Sequence, residues 1–153
     1  MKKILVLTAM AVSLTTLSAN DIIIKKSSYS VDNTVNKIKT ILEKKGLTVF
    51  TVIDHQSNAK KAGLKMDQSK VIIFGNPKVG TKLMNQDILT SLDLPMKIAI
   101  YEDNYHGTKI AYRNASWLEK EHKITTKKLI AKVNGALDKI TTKAGSNRAI
   151  DNK

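Results

Sequence analysis

The chain has no cysteine. That excludes disulfides, thiolate chemistry, cysteine-ligated zinc and c-type haem attachment. It also excludes the lipidated cysteine that anchors a bacterial lipoprotein. Aromatic residues are only 5% of the 153 residues, against 42% hydrophobic in all, so the core must be mostly aliphatic. Proline occurs twice, at Pro77 and Pro95, and arginine twice, at Arg113 and Arg148. No apolar run is long enough to cross a membrane as a helix, so no transmembrane segment is expected.

What is present begins with a basic, then apolar, start. Lys2 and Lys3 precede ILVLTAMAV, followed by the mostly small residues Thr15, Thr16, Leu17, Ser18 and Ala19. This order predicts a bacterial secretory signal over residues 1–19, cut after Ala19. The bland alternative is a buried N-terminal strand. Export would make the protein periplasmic or secreted, and without cysteine it would be held by packing alone.

Lysine and arginine total 26 against 13 acidic residues, a net charge of +13, or +11 without Lys2 and Lys3. A basic chain suggests nucleic acid. Export argues against that partner, the lysines are scattered, and arginine, the usual reader of phosphates and bases, is scarce. A solvated lysine surface with weak attraction to anionic membranes is the expectation.

Along the chain, Ile22 to Tyr29 reads as a strand. Val31, Val35, Ile38, Ile41 and Leu42 fall at helical spacing, with Ser30 or Asp32 as cap and Gly46 as stop. Leu47 to His55 has apolar residues at both parities, which predicts a central strand covered on both faces. Residues 57–62 suggest a short helix closed by Gly63, with alanines that imply close packing. Val71 to Phe74 is a short strand. Asn76-Pro77 opens a helix whose buried face is Val79, Leu83, Met84 and Ile88, continued by Leu92.

Pro95 blocks further helix, and Met96, Ile98 and Ile100 alternate as a half-buried strand. Residues 103–107 form a turn with Gly107 as the left-handed residue, and Thr108 to Arg113 completes a hairpin. Ser116-Trp117-Leu118-Glu119 is a capping-box pattern. Leu129 to Ile140 marks a long amphipathic helix capped by Thr125 or Thr126 and ended by Gly145. Residues 20–145 thus read as a single compact α+β domain and residues 146–153 as a flexible tail. The expected sheet is mixed or antiparallel with helices packed on it, in the order β-α-β-(α)-β-α-β-β-α-α.

Candidate chemistry is sparse. GNPKVGTK, Gly75 to Lys82, superficially resembles a phosphate loop, but Thr81-Lys82 reverses the required order and Pro77 removes a backbone donor. A milder expectation is that the helix start, with Asn76, Lys78, Gly80 and Thr81, takes a small anion. Ordinary capping is its alternative. Gly80, inside that helix, is expected to pack closely on the sheet. His55 ends a strand beside Asp54, where it could bind a ligand or act in acid–base chemistry. His55 and His122 together are candidates to hold a metal ion or haem iron; hydrogen-bonded structural histidines are the bland reading. His106 sits in the hairpin turn. No nucleophile elbow or paired-carboxylate motif is visible.

An ordered set of short motifs runs from Phe50 to His122. It comprises Asp54-His55 with Ala59 and Gly63; Phe74-Gly75-Asn76-Pro77 with Gly80-Thr81 and Leu83-Met84; Asp93-Leu94-Pro95; Tyr101-Glu102-Asp103 and Gly107; Tyr112; and His122. The set resembles the bacterial and archaeal family named domain of unknown function 302, with a family-like core over residues 47–122. The resemblance implies a small α+β fold, related in layout to the TATA-binding-protein-like arrangement, and commonly a homodimer. It supplies no activity.

The leading expectation is therefore an exported, non-enzymatic protein that binds a small molecule or anion. Its pocket would lie between the Asp54-His55 strand end and the Asn76-Pro77 helix start, with Tyr101 nearby. The alternatives are a haem or metal protein or enzyme using His55 and His122, and an assembly partner that uses the C-terminal helix.

Overall fold

The structure, a computed structural model, describes residues 21–147. The expected signal segment and residues 148–153 of the expected tail lie outside them. Five strands form one sheet in the order β1-β5-β4-β3-β2, and every neighbouring pair is antiparallel. The sheet is antiparallel rather than mixed, as an α+β domain allows. The strands are β1 (Ile22–Lys26), β2 (Thr48–Asp54), β3 (Ser69–Gly75), β4 (Met96–Glu102) and β5 (Thr108–Arg113). The helices are α1 (Val31–Lys44), α2 (His55–Lys61), α3 (Pro77–Met84), α4 (Ser116–Glu121) and α5 (Lys127–Gly145). A short 3-10 helix covers Ile88–Leu92.

α1 forms as its sequence predicts. Ser30 Oγ accepts from the Asn33 amide at 3.3 Å, and Gly46 leaves the helix at φ +66°. Its stripe of Val31, Val35, Ile38 and Leu42 is buried against Ile72, Phe74, Ile98, Ile100, Ile110 and Tyr112 of the sheet and Leu137, Ile140 and Ala144 of α5. Each such side chain contributes about 1.5–3 kcal/mol through removal from water. Ile22, Ile24, Ile53, Val71, Ile73, Ala99 and Ala111 face the other way by strand alternation, and none of them is fully buried. A second cluster joins Leu83, Ala115, Leu118, Ile124 and Ile130.

Several local expectations are corrected. β2 is an edge strand, not a central one. The apolar residues at both parities arise because the register shifts between Val49 and Thr51, so Phe50 bulges out of the ladder and is 51% exposed. The first strand stops at Lys26 because Ser27 and Ser28 turn the chain toward α1. The α2 alanines do not pack closely: Ala62 is exposed and Ala59 half-buried.

Ile88 and Leu92 do not extend the buried face of α3. They sit on the 3-10 helix, 69% and 77% exposed. A Cβ on Gly80 would make only ordinary contacts, at 3.8 and 3.9 Å, with the Met84 and Leu94 side chains, so no close backbone approach requires that glycine. In the hairpin turn the left-handed residue is His106, at φ 58°, not Gly107. The capping box at Ser116 does not form: α4 has no side-chain cap at its first turn, and the Ser116 amide donates to Asn114 Oδ1 at 3.0 Å. Thr126 occupies the cap position of α5 but its side chain makes no capping bond.

Candidate functional site

The antiparallel register separates the residues expected to share a site. Asp54 pairs with Lys70 at one end of β3, whereas Asn76 follows Gly75 at the other, which pairs with Thr48. Five residues of extended strand separate Lys70 from Gly75, about 17 Å. The two motifs, Asp54-His55 and Asn76-Pro77, therefore lie at opposite ends of β3 and do not share one site. Tyr101 pairs with Ser69 and Lys109, at the Asp54 end. His122 reaches Asp93, just before β4 begins, and so lies at the Asn76 end. His55 and His122 are not brought together.

At the Asp54 end the chemistry is structural. Asp54 is the N-cap of α2, accepting from the Ser57 amide at 2.8 Å, and this bond is the main reason its carboxyl sits below its ordinary range. Lys70 lies between Asp32, at 2.6 Å, and Asp54, at 3.2 Å. The Asp32 hydrogen bond, more than Asp54, raises the Lys70 ammonium above its usual value against partial desolvation. His55 opens α2 half-buried, with no side-chain hydrogen bond among the described residues. His122 has the opposite character. Its side chain is 8% exposed, its Nε2 meets Asp93 Oδ2, and its ring lies 6.3 Å from that of Trp117.

The start of α3 is no anion cradle. Pro77 has no N–H. The Lys78 amide donates to Asn76 Oδ1 at 3.0 Å, and the Val79 and Gly80 amides donate to the Asn76 carbonyl at 3.0 and 2.9 Å. The first turn has no free donor. Of the residues expected there, Asn76, Gly80 and Thr81 instead line a different feature, an apolar cavity of about 680 Å³.

That cavity lies where the two hydrophobic clusters meet, and Met96 and Val133 pack against both. Phe74 and Met96 from the sheet line it, with Val79 and Leu83 of α3 and Leu129, Val133 and Ala136 of α5. Phe50, pushed out by the bulge, and Leu94-Pro95 line it from the edge. A chain with only two phenylalanines and one tryptophan has few side chains large enough to fill such a gap. Among the described residues, the charged ones on its wall are Lys45 and Lys132, and none is acidic. A smaller polar cleft of about 270 Å³ lies between β1 and the end of α5, but its Lys25 is already bound to Asp138 and Thr142.

Sequence reasoning missed most of this cavity. It found Asn76, Gly80 and Thr81, but not Phe50, Met96, Val133, Ala136 or the two lysines. The available signals were the double-parity strand, which signalled the bulge, and the small Ala136 within the apolar stripe of α5. That stripe is buried in this chain's own core through Ile130, Leu137 and Ile140, so it is not a free assembly face.

The family described as Domain of unknown function DUF302 matches residues 23–140. The match takes in α5 as far as Ile140, so most of the long helix is part of the family pattern. Among curated relatives, a protein of Brucella suis biovar 1 (strain 1330) named Fluoride-specific ion channel FluC 1 is 34% identical over 99 residues. It covers 65% of this chain and 39% of that protein. The protein of the same name from Brucella abortus biovar 1 (strain 9-941) gives the same identity over 65% of this chain and 37% of its own. The chain thus spans less than two fifths of these relatives. Among the described residues, no helix is long and apolar enough to cross a membrane. A crystal structure of the uncharacterized conserved protein DUF302 from Bacillus stearothermophilus superposes with a TM-score of 0.75 at 19% identity, over 82% of this chain and 99% of that one. At that identity the likeness concerns the fold, and together with the sequence match it shows that the chain belongs to the DUF302 family.

Proposed function

We propose that this DUF302 protein is a non-enzymatic binding protein for an apolar small molecule, held in the cavity between α3, α5 and the Gly75 end of β3. One observation carries the reading: a space of about 680 Å³ walled mostly by apolar side chains. That volume falls within the range of about 300–1,000 Å³ found for small-molecule sites. Each methylene moved from water into such a wall contributes about 0.8 kcal/mol. The relatives named as fluoride channels do not redirect this reading. A small, strongly hydrated anion gains nothing from an aliphatic wall and loses its water. Export by residues 1–19 would place the binding protein in the periplasm or the medium.

The test is titration with the neutral fluorophore N-phenyl-1-naphthylamine, whose emission rises in apolar surroundings. Saturable enhancement is expected, lost in Ala136→Phe with an unchanged far-ultraviolet circular dichroism spectrum. Absence of saturation, or an undiminished signal in that variant, sinks the proposal.

A homodimer formed through the open sheet face belongs to the same reading. Ile22 and Ile24 are 43% and 56% exposed there, beside half-buried Ala111, Ala99, Val71 and Ile73, and contiguous apolar surface of this kind marks contact sites. Light scattering of Ile24→Lys tests it: the expected result is a dimer in the parent and a monomer in the variant.

A further inference from the structure

We infer that the cavity ligand is a long-chain carboxylate, its tail among the aliphatic side chains and its charged head between Lys45 and Lys132. The inference rests on the cavity reading above and adds the chemistry of the head group. The placement of the two lysines is the first observation. The start of α1 meets the end of α5, where the Ser28 amide donates to the Gly145 carbonyl at 2.9 Å. The two helices therefore run antiparallel. This carries the end of α1, with Lys45, toward the first turns of α5, with Lys132, and both line the one cavity.

The second observation is what surrounds them. Lys25, Lys70, Lys109 and Lys120 have a carboxylate partner, whereas most other described lysines have none. Lys45 and Lys132 have no ion pair among the described residues, and the cavity wall contains no aspartate or glutamate. Two exposed ammonium groups at a mostly apolar wall, which also carries the neutral polar residues Asn76 and Thr81, complement a molecule with one anionic end. Both lysines are solvent-exposed, so the head group stays hydrated at its outer side while the tail is buried.

Size agrees. A methylene and a water occupy similar volumes, roughly 30 Å³, so a tail of about fifteen methylenes takes up about two thirds of the space. A fully polar ligand would leave the apolar side chains of the wall facing its hydroxyls.

Displacement of bound N-phenyl-1-naphthylamine from the full chain by palmitate and by hexadecanol tests the head group. Palmitate is expected to act at about tenfold lower concentration than hexadecanol in low salt, with the margin narrowing as salt rises. In the double variant Lys45→Gln/Lys132→Gln the two should become equal, while Lys78→Gln/Lys139→Gln keeps the margin. Equal displacement in the parent, or a margin that survives the Lys45/Lys132 change, overturns the carboxylate inference and leaves the apolar cavity standing. If the fluorophore binds but neither long-chain probe displaces it, the long-chain ligand is ruled out. If the fluorophore itself does not bind, the cavity reading fails and takes the inference with it.

Discussion

Gly145 lies so close to β1 that a Cβ added to it would sit 2.8 Å from the Lys26 carbonyl oxygen. The contact is backbone against backbone and cannot be relieved by a side-chain rotation. It joins the end of α5 to the first strand, beside the Ser28–Gly145 hydrogen bond. Gly145→Ala should destabilise the protein by about 1–3 kcal/mol despite the better helix propensity of alanine. Gly135, in the same helix, has nothing within 4 Å of its added Cβ. Gly135→Ala should therefore stabilise by about 0.5–1 kcal/mol. Urea midpoints of the two variants should shift in opposite directions, and a shared direction would contradict the structure.

Asn134 makes a second join between elements. Its Oδ1 accepts from the Ala115 amide at 2.6 Å and its Nδ2 donates to Ser116 Oγ at 2.8 Å. Ala115 is fully buried, so no water replaces the acceptor if it is removed. Asn134→Ala should cost about 1–3 kcal/mol of unfolding free energy. Asn134→Asp keeps an acceptor toward Ala115 and should lose less. Equal losses in the two variants would mean that the Ala115 bond is not the important one.

The legibility of this fold in its sequence follows the range of the interactions. α1 could be read because its stripe, its serine cap and its glycine stop are all local. The β4–β5 hairpin could be read for the same reason. The left-handed turn residue could not, because Asp103 holds the turn through the Tyr105 and Gly107 amides and leaves the positive φ to His106. β2 misled because a one-residue bulge moves Phe50 out of alternation, and alternation is the signal that tells which face of a strand is buried. The candidate site failed on register. Nothing in Asp54-His55 or Asn76-Pro77 says that β2 and β3 pair antiparallel, and that pairing alone puts the two motifs at opposite ends. The cavity was invisible because it is bounded by residues from six elements, β2, β3, α3, β4, α4 and α5, of which only Asn76, Gly80 and Thr81 were expected at a site.

His55, at the start of α2, and His122, at the end of α4, should behave differently on removal. His122 is nearly buried, bonded to Asp93 and 3.9 Å from Asp87, which also holds the Lys123 and Leu89 amides. His122→Ala should lower the thermal midpoint by several degrees, matching a loss of about 1–3 kcal/mol. His55→Ala should stay within about 0.5 kcal/mol of the parent, because no hydrogen bond is lost. Thermal denaturation of both variants at neutral pH distinguishes the roles. A large loss at His55 with none at His122 would reverse the assignment.

The acid limb of stability should trace to backbone-bonded carboxylates. Asp103 is held below the ordinary carboxylate range chiefly by the Gly107 amide and then by Lys109, whose Nζ is 3.1 Å away. Asp87 is lowered first by the Lys123 amide and Asp54 first by the Ser57 amide. A folded-state value below the unfolded one means that the folded state prefers the charged form. The stability gained is full above the unfolded value, near pH 4, and is lost as pH falls through the lowered folded values. The Asp103→Asn variant cannot make this charged interaction at any pH. Its midpoint should lie below the parent's at neutral pH, and the gap should close as the pH drops under about 4. Thermal midpoints measured from neutral pH down to the acid transition test this, and a gap that stays constant across the range would show that Asp103 acts through its shape rather than its charge.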